Sequence, residues 1–279
     1  MTTRHALLVL ALPMTLFACS KTGGGVSPDV IADFTSDNSL NPADGRQGFF
    51  HVWGDGSLAG QFVPPLDANQ PYAYPIDETT GNPKGSGPGS FHTKATSWGV
   101  WGAALGADFM PRIETEAGVG PTGTGYKGTY DASKYTGISF WAKAATSLTR
   151  VQFVIFDAYT DGEATFAGLP VPDGTDPTFT SCVYTNDVRY NCSPYLVKLV
   201  DLNFPKYMSY QIDQDWKKFD IFFADTVQDS NNLGFHTTAN QLDTAHLTAM
   251  AIQVNATYVG SSPTPNDFEI WVDDVKFIK

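Results

Sequence analysis

The chain has 279 residues, 42% of them hydrophobic and 16% charged, and it carries 19 Phe, 12 Tyr and 6 Trp. That is ample core material, so disorder is excluded outside the loops. A formal charge of −12 signals no basic face that could neutralise phosphates, which excludes nucleic acid as a partner.

The first residues read as a sorting signal: Arg4 and His5 form a basic start and Ala6 to Leu16 an apolar run that is too short to span a bilayer. Leu16-Phe17-Ala18-Cys19 resembles a bacterial lipobox, which implies that residues 1–18 are removed and that Cys19 carries lipid. An ordinary secretory signal is the alternative. Ser20 in place of Asp after that cysteine implies, for a Gram-negative cell, an outer-membrane or cell-surface lipoprotein. Residues 19–27 then form a flexible tether of roughly 16 Å, and residues 28–279 a single domain. Once Cys19 is assigned to lipid, Cys182 and Cys192 are left to form a disulfide, stabilising by about 2–4 kcal/mol. A metal site is the alternative there, but no histidine is near and the spacing is not Cys-x-x-Cys.

From residue 28 on, short Phe/Val/Ile/Trp runs recur between Gly, Pro, Asn and Asp, with little helical periodicity. That is an all-β pattern. Val30 to Phe34 is the first predicted strand and Gln47 to Trp53 the second; Val63 to Gly89, rich in Pro and Gly, is predicted as loop, with Tyr72 and Tyr74 its large side chains. Phe91 to Thr96 and Trp98 to Phe109 resume strand character. Gly99, Gly102 and Gly106 weaken the latter unless something approaches its backbone closely. Gly118 to Gly125 looks like a phosphate loop but lacks the following Lys-Ser/Thr, so it reads as surface loop.

Asp131 to Lys134 predicts one helical turn before a strand at Ile138 to Lys143, with Ile138, Phe140 and Ala142 inward and Trp141 outward. Thr149 to Tyr159 is apolar on both faces and reads as a central strand. Tyr195 to Asp201, Trp216 to Phe223 and Thr248 to Asn255 follow as strands, with a short helical turn expected within Thr238 to Leu247. In Phe268 to Phe277 the alternation changes parity at Asp273-Asp274, which is what a β-bulge produces. That bulge is expected to meet the first strand near Asp33, closing the two ends of the domain together.

No motif for a nucleophile, a zinc protease or a nucleotide loop is present, and the histidines after the signal are His51, His92, His236 and His246. His51 reads as a sheet-surface residue. A glycosidase pair among carboxylates such as Asp157, Asp161 and Glu163 cannot be selected from sequence, and Asp157 to Glu163 reads as a turn.

Gly45-Arg-Gln-Gly-Phe-Phe50, Tyr135 to Ala142, Trp216-Lys-Lys-Phe219, Phe223 to Gln228 and Phe268 to Phe277 resemble exported bacterial lipoproteins with a galactose-binding-like jelly roll. That group is similar to carbohydrate-binding-module family 11. The resemblance covers nearly the whole mature chain and implies a two-sheet jelly-roll β-sandwich with long loops and few helical turns. It also implies a structural Ca2+ between first and last strands, here at Asp33, Asp273 and Asp274. The usual Asp-Asp-Phe-Glu pattern is Ala32-Asp-Phe-Thr35 in this chain, so two oxygen donors are missing from a site that wants six to eight; aspartates capping backbone amides are the alternative.

A carbohydrate ligand needs aromatic faces edged by amides or carboxylates. Trp53, Trp141, Gln152, Gln253 and Asn255 are expected on the outer face of one sheet, with Trp98, Trp101, Tyr72 and Tyr74 above it or in loops. The competing expectation is that these aromatics make a second small core. Function is thus expected to be non-catalytic glycan binding at the cell envelope. An adhesive protein with an envelope protein partner is the alternative, and a glycan-cleaving enzyme the third.

Overall fold

The computed structural model describes residues 27–55, 57–66, 74–85, 87–113, 126–158, 160–161, 195–197, 210–228, 242–259, 262–264 and 267–279. In chain order its strands are β1 (Val30–Ala32), β2 (Phe49–Gly54), β3 (Gln61–Val63), β4 (Ile76–Asp77), β5 (Ser90–Thr96), β6 (Gly102–Asp108), β7 (Arg112–Ile113), β8 (Tyr126–Lys127) and β9 (Gly137–Ala144). They continue as β10 (Leu148–Asp157), β11 (Tyr195–Val197), β12 (Tyr210–Ile212), β13 (Lys217–Phe222), β14 (Thr226–Gln228), β15 (Leu247–Asn255), β16 (Thr257–Val259), β17 (Ser262–Thr264) and β18 (Phe268–Ile278). The helical content of the described residues is two single 3-10 turns, Phe223–Asp225 and Thr244–His246. None of it is long and apolar enough to cross a membrane.

The strands form two facing antiparallel sheets in a jelly-roll sandwich. Sheet I has the order β13-β9-β18-β5-β3, with β1 on β18 and β4 on β5; sheet II has the order β14-β11-β10-β15-β6-β2, with β12 on β10. Alternation decides which side chains meet between them. Ile138, Phe140 and Ala142 of β9 and Ile270 and Val272 of β18 are buried against Val151, Phe153 and Ile155 of β10 and Met250, Ile252 and Val254 of β15. Aromatic pairs bridge the layers, Phe50 to Phe91 at 4.9 Å and Phe140 to Phe153 at 4.6 Å between ring centroids. Each such side chain contributes about 1.5–3 kcal/mol by leaving water.

The expected closure of the ends is present. Val30 pairs with Lys276 and Ala32 with Val275, and the β9–β18 register shifts between Asp273 and Lys276. Asp274 sits at φ 49, the left-handed geometry of a bulge residue. β10 is central, flanked by β15 on one side and by β11 and β12 on the other.

Two expectations are corrected. Trp98 to Val100 are not strand: the carboxylate of Asp55 accepts the N–H groups of Val100 and Gly102 at 2.6 and 2.8 Å, and this fixes a loop before β6. Within the stretch predicted as loop, Ile76 and Asp77 pair with Phe91 and Ser90, and Tyr74 is core, bonding Thr93 at 2.7 Å and Pro64 O at 3.0 Å. The glycines of β6 do mark close approach, but the neighbour is sheet backbone: a Cβ on Gly102 would overlap Val254 O, and one on Gly106 would overlap Met250 O. Cys19, Tyr72, the Gly118 to Gly125 loop, Cys182 and Cys192 lie outside the described residues.

Candidate functional site

The outer face of sheet II carries most of the residues expected to bind a ligand. Trp53 on β2 pairs with Ala104 on β6, Ala104 with Gln253 on β15, and Gln253 with Gln152 on β10. These four side chains thus form one row, roughly 14 Å across at normal strand spacing. The next rows are His51–Gly106–Ala251–Val154 and Phe49–Asp108–Ala249–Phe156. Ala104 and Gly106 of β6 and Ala249 and Ala251 of β15 are all buried, so the centre of this face is covered, with Gln253 and Asn255, joined by a side-chain hydrogen bond and partly exposed, at one end.

Trp101 packs on the same face. With Trp53 and Phe156 it covers Ala104, Val154 and Ala251, which are buried while the three aromatics stay partly exposed. The two sequence expectations thus meet: the aromatic undersides make a second small core, and their upper surfaces face outward.

Trp141 does not belong to this face, which corrects its placement. It lies on β9, whose partners are β13 and β18, so it stands on the outer side of sheet I opposite Lys218 and Asp273. Trp98 belongs to the end of the sandwich. Its ring lies against Gly54 and Gly60, where a Cβ would overlap it, and 5.0 Å from Phe62, with Nε1 donating to Gln61 O at 3.2 Å.

At the other end of this face is a charged cluster that sequence reading missed. Lys127 Nζ lies 2.8 Å from Asp108 Oδ1 and 3.3 Å from Asp161 Oδ2, and Thr248 Oγ1 donates to Asp161 Oδ2 at 2.8 Å. His51 Nε2 is 3.4 Å from Asp108 Oδ2, with its ring 5.0 Å from that of Trp53. Burial alone would raise the Asp108 pKa, but the Lys127 ammonium and His51 hold it far below the ordinary carboxylate value. A glycosidase acid needs the opposite, a raised pKa, so Asp108 is a charge-paired brace rather than a proton donor. Nor is Asp157 poised for chemistry, since it accepts from Thr160 Oγ1 at 2.8 Å and from Asp243 N at 2.9 Å.

Of the three residues expected to hold calcium, Asp273 and Asp274 lie at the β18 bulge. Asp273 Oδ2 accepts from Asn82 N at 2.9 Å and Oδ1 from Asp274 N at 2.7 Å, while Lys276 Nζ lies 3.0 Å from Asp274 Oδ1. Asp274 Oδ2, Asp273 Oδ2 and Asn82 O converge beside Gly85, where a Cβ would run into all three. Burial, together with the charges of Asp274 and Asp33, pushes Asp273 up to about 7. Asp33 itself accepts from Thr35 Oγ1 at 3.0 Å, and no three acidic, His or Cys side chains converge among the described residues. The oxygens that converge here are of the kind a hard cation takes, and the rest of its six to eight ligands would have to come from backbone or water.

No family model matches the chain, and no curated protein matches it. Among solved structures it is similar to the family 11 carbohydrate-binding module of a cellulosomal cellulase of Clostridium thermocellum, at 13% identity over 88% of this chain and 95% of the module, with a TM-score of 0.41. A family 11 module from Clostridium thermocellum in complex with a β-1,3-1,4-mixed-linked tetrasaccharide aligns at 14% identity over 88% and 96%, with a TM-score of 0.41. An exo-β-agarase aligns at 9% identity over 89% of this chain and 24% of the enzyme, with a TM-score of 0.39. At these scores the fold stands on the strand pairing above and any function on the residues of the two faces.

Proposed function

We propose that the chain is a non-catalytic carbohydrate-binding protein of the cell envelope, anchored by lipid at Cys19, and that its ligand lies along the outer face of sheet II. The observation that carries this is the in-register row Trp53–Ala104–Gln253–Gln152, extended by Trp101 and Asn255. The indoles of Trp53 and Trp101 cover Ala104 and stay partly exposed themselves, so their outer faces can take the C–H side of a pyranose, and amides two and three strands from Trp53 can satisfy its hydroxyls. Trp53→Ala is expected to weaken retention on an insoluble glucan about tenfold, the equivalent of roughly 1.4 kcal/mol. Binding by the folded variant equal to wild type would move the site elsewhere.

A structural Ca2+ held by Asp273, Asp274 and Asn82 O, with Asp33 nearby, belongs to the same proposal. It would brace the closure of β1 on β18.

One observation favours a second reading, an adhesive protein with a protein partner. Leu58 is fully exposed and Val100 54% exposed, on loops braced by Asp55 and by the Ser57 hydroxyl, which accepts from Gly99 N at 2.9 Å. A Leu58→Ser variant that loses a co-purifying envelope protein, with glycan retention absent in both forms, would establish that reading.

A further inference from the structure

The lysines of this acidic chain are not distributed alike. Of the nine described lysines, six lie within ion-pair distance of a carboxylate: Lys127, Lys134, Lys217, Lys218, Lys276 and Lys279. The other three, Lys84, Lys94 and Lys143, have no carboxylate partner among the described residues. All three are on the outer side of sheet I. Among the described lysines these three are the exception, and they share one face.

Their placement is specific. Lys143 stands opposite Trp271, which in turn stands opposite His92, and Lys94 is two residues further along β5 on the same side, opposite Glu269, whose carboxylate bonds His92. Lys143 Nζ lies 4.7 Å from the Trp271 ring centroid and 5.5 Å from that of Trp216, and Lys84 Nζ lies 5.4 Å from that of Trp141. The indoles hold the ammoniums in place without neutralising them. The carboxylates nearby are already engaged: Glu269 with His92 at 3.0 Å, Asp77 with Trp271 Nε1 at 3.1 Å, Asp220 with Lys218 at 2.7 Å, and Asp213 with Lys217. Lys84, Lys143 and Lys94 thus define a diagonal track, with roughly 12 Å between the backbones of the last two at sheet spacing.

We propose that this outer face of sheet I binds a carboxylate-bearing polysaccharide, a polyuronate, along the diagonal Lys84–Lys143–Lys94. An extended polymer with one carboxylate per ring returns a charge to the same side every second ring and can meet successive ammoniums on a flat sheet. An anionic membrane fits less well, because Trp141, Trp216 and Trp271 are all partly buried rather than free to enter a headgroup layer. At physiological salt, fields are screened within about 8 Å, so binding is set by the groups of this face and not by the net charge of the chain.

This face is the opposite one from that of the row containing Trp53, so the two sites fail separately. The probe is immobilised polygalacturonate at low salt, presented to the full chain, to a Lys84→Gln/Lys94→Gln/Lys143→Gln variant and to Trp53→Ala. The wild type and Trp53→Ala are expected to be retained alike, and the triple variant to bind at least about tenfold more weakly, as does the wild type in high salt. Equal binding by the triple variant, or no retention of folded wild type, would overturn the proposal. So would preferential binding to dextran sulfate or to anionic phospholipid vesicles.

Discussion

Asp273 and Asn82 are joined across 191 residues of chain by a hydrogen bond from the Asn82 backbone N–H to Asp273 Oδ2, 2.9 Å long. It draws the loop before β5 over the bulge in β18 and places a third oxygen beside two aspartates. With Asp273 pushed up from 3.8 to about 7, the folded chain holds a proton there that the unfolded chain releases above about pH 4. Stability without a cation therefore falls as pH rises from about 4 through about 7. Calcium competes with that proton. In the presence of a chelator the Tm is expected to be lower at pH 8 than at pH 6, and added calcium to raise it more at pH 8. Asp273→Asn is expected to abolish both effects.

Arg46 is fully buried, and its guanidinium donates to Pro28 O and Val30 O at 2.7 Å each and to Tyr130 Oη at 2.8 Å. A lysine cannot reproduce that planar fork. Arg46→Lys is expected to lose at least about 2 kcal/mol of stability, given about 1.5–3 for a hydrogen bond to a charged group, with the loss read as a lower urea midpoint at unchanged m.

Lys127 joins Asp108 to Asp161. Its replacement by Met leaves buried carboxylates less compensated, a loss of about 3–5 kcal/mol. The Asp108 contribution is present above the unfolded value of 3.8 and is lost on acidification, because its folded pKa is depressed. Urea titrations at pH 7 and pH 3 should show the wild type losing more stability than Lys127→Met over that interval.

Gly106→Ala would drive a Cβ into the carbonyl of Met250, which is backbone of the neighbouring central strand and cannot swing aside. A drop of roughly 2 kcal/mol or more in unfolding free energy is expected, well beyond the propensity effect of the substitution.

Strand faces were legible because period-two alternation is local. Ile138, Phe140 and Ala142 are all buried as read, with Trp141 between them facing out. The parity slip at Asp273-Asp274 located the bulge for the same reason. Sheet membership was not legible, since nothing local to β9 says that it pairs with β13 and β18 rather than with β10; Trp141 was therefore grouped with Trp53. The same gap hid Trp216, Trp271 and His92. The alternation Ile270-Trp271-Val272 already placed Trp271 outward, but only pairing brings it beside Lys143 and His92. Asp108, Lys127 and Asp161 come from three separate segments, and no spacing rule connects them.

The central claim is that the row Trp53–Ala104–Gln253–Gln152 is a glycan surface, and the most direct measurement is titration calorimetry of the soluble domain, wild type and Trp53→Ala/Gln253→Ala, with soluble neutral β-glucan oligosaccharides. Saturable binding by the wild type, weakened at least tenfold in the variant at unchanged Tm, is the predicted result. No binding heat from folded wild type across such a series, or equal affinities in the two proteins, would contradict it.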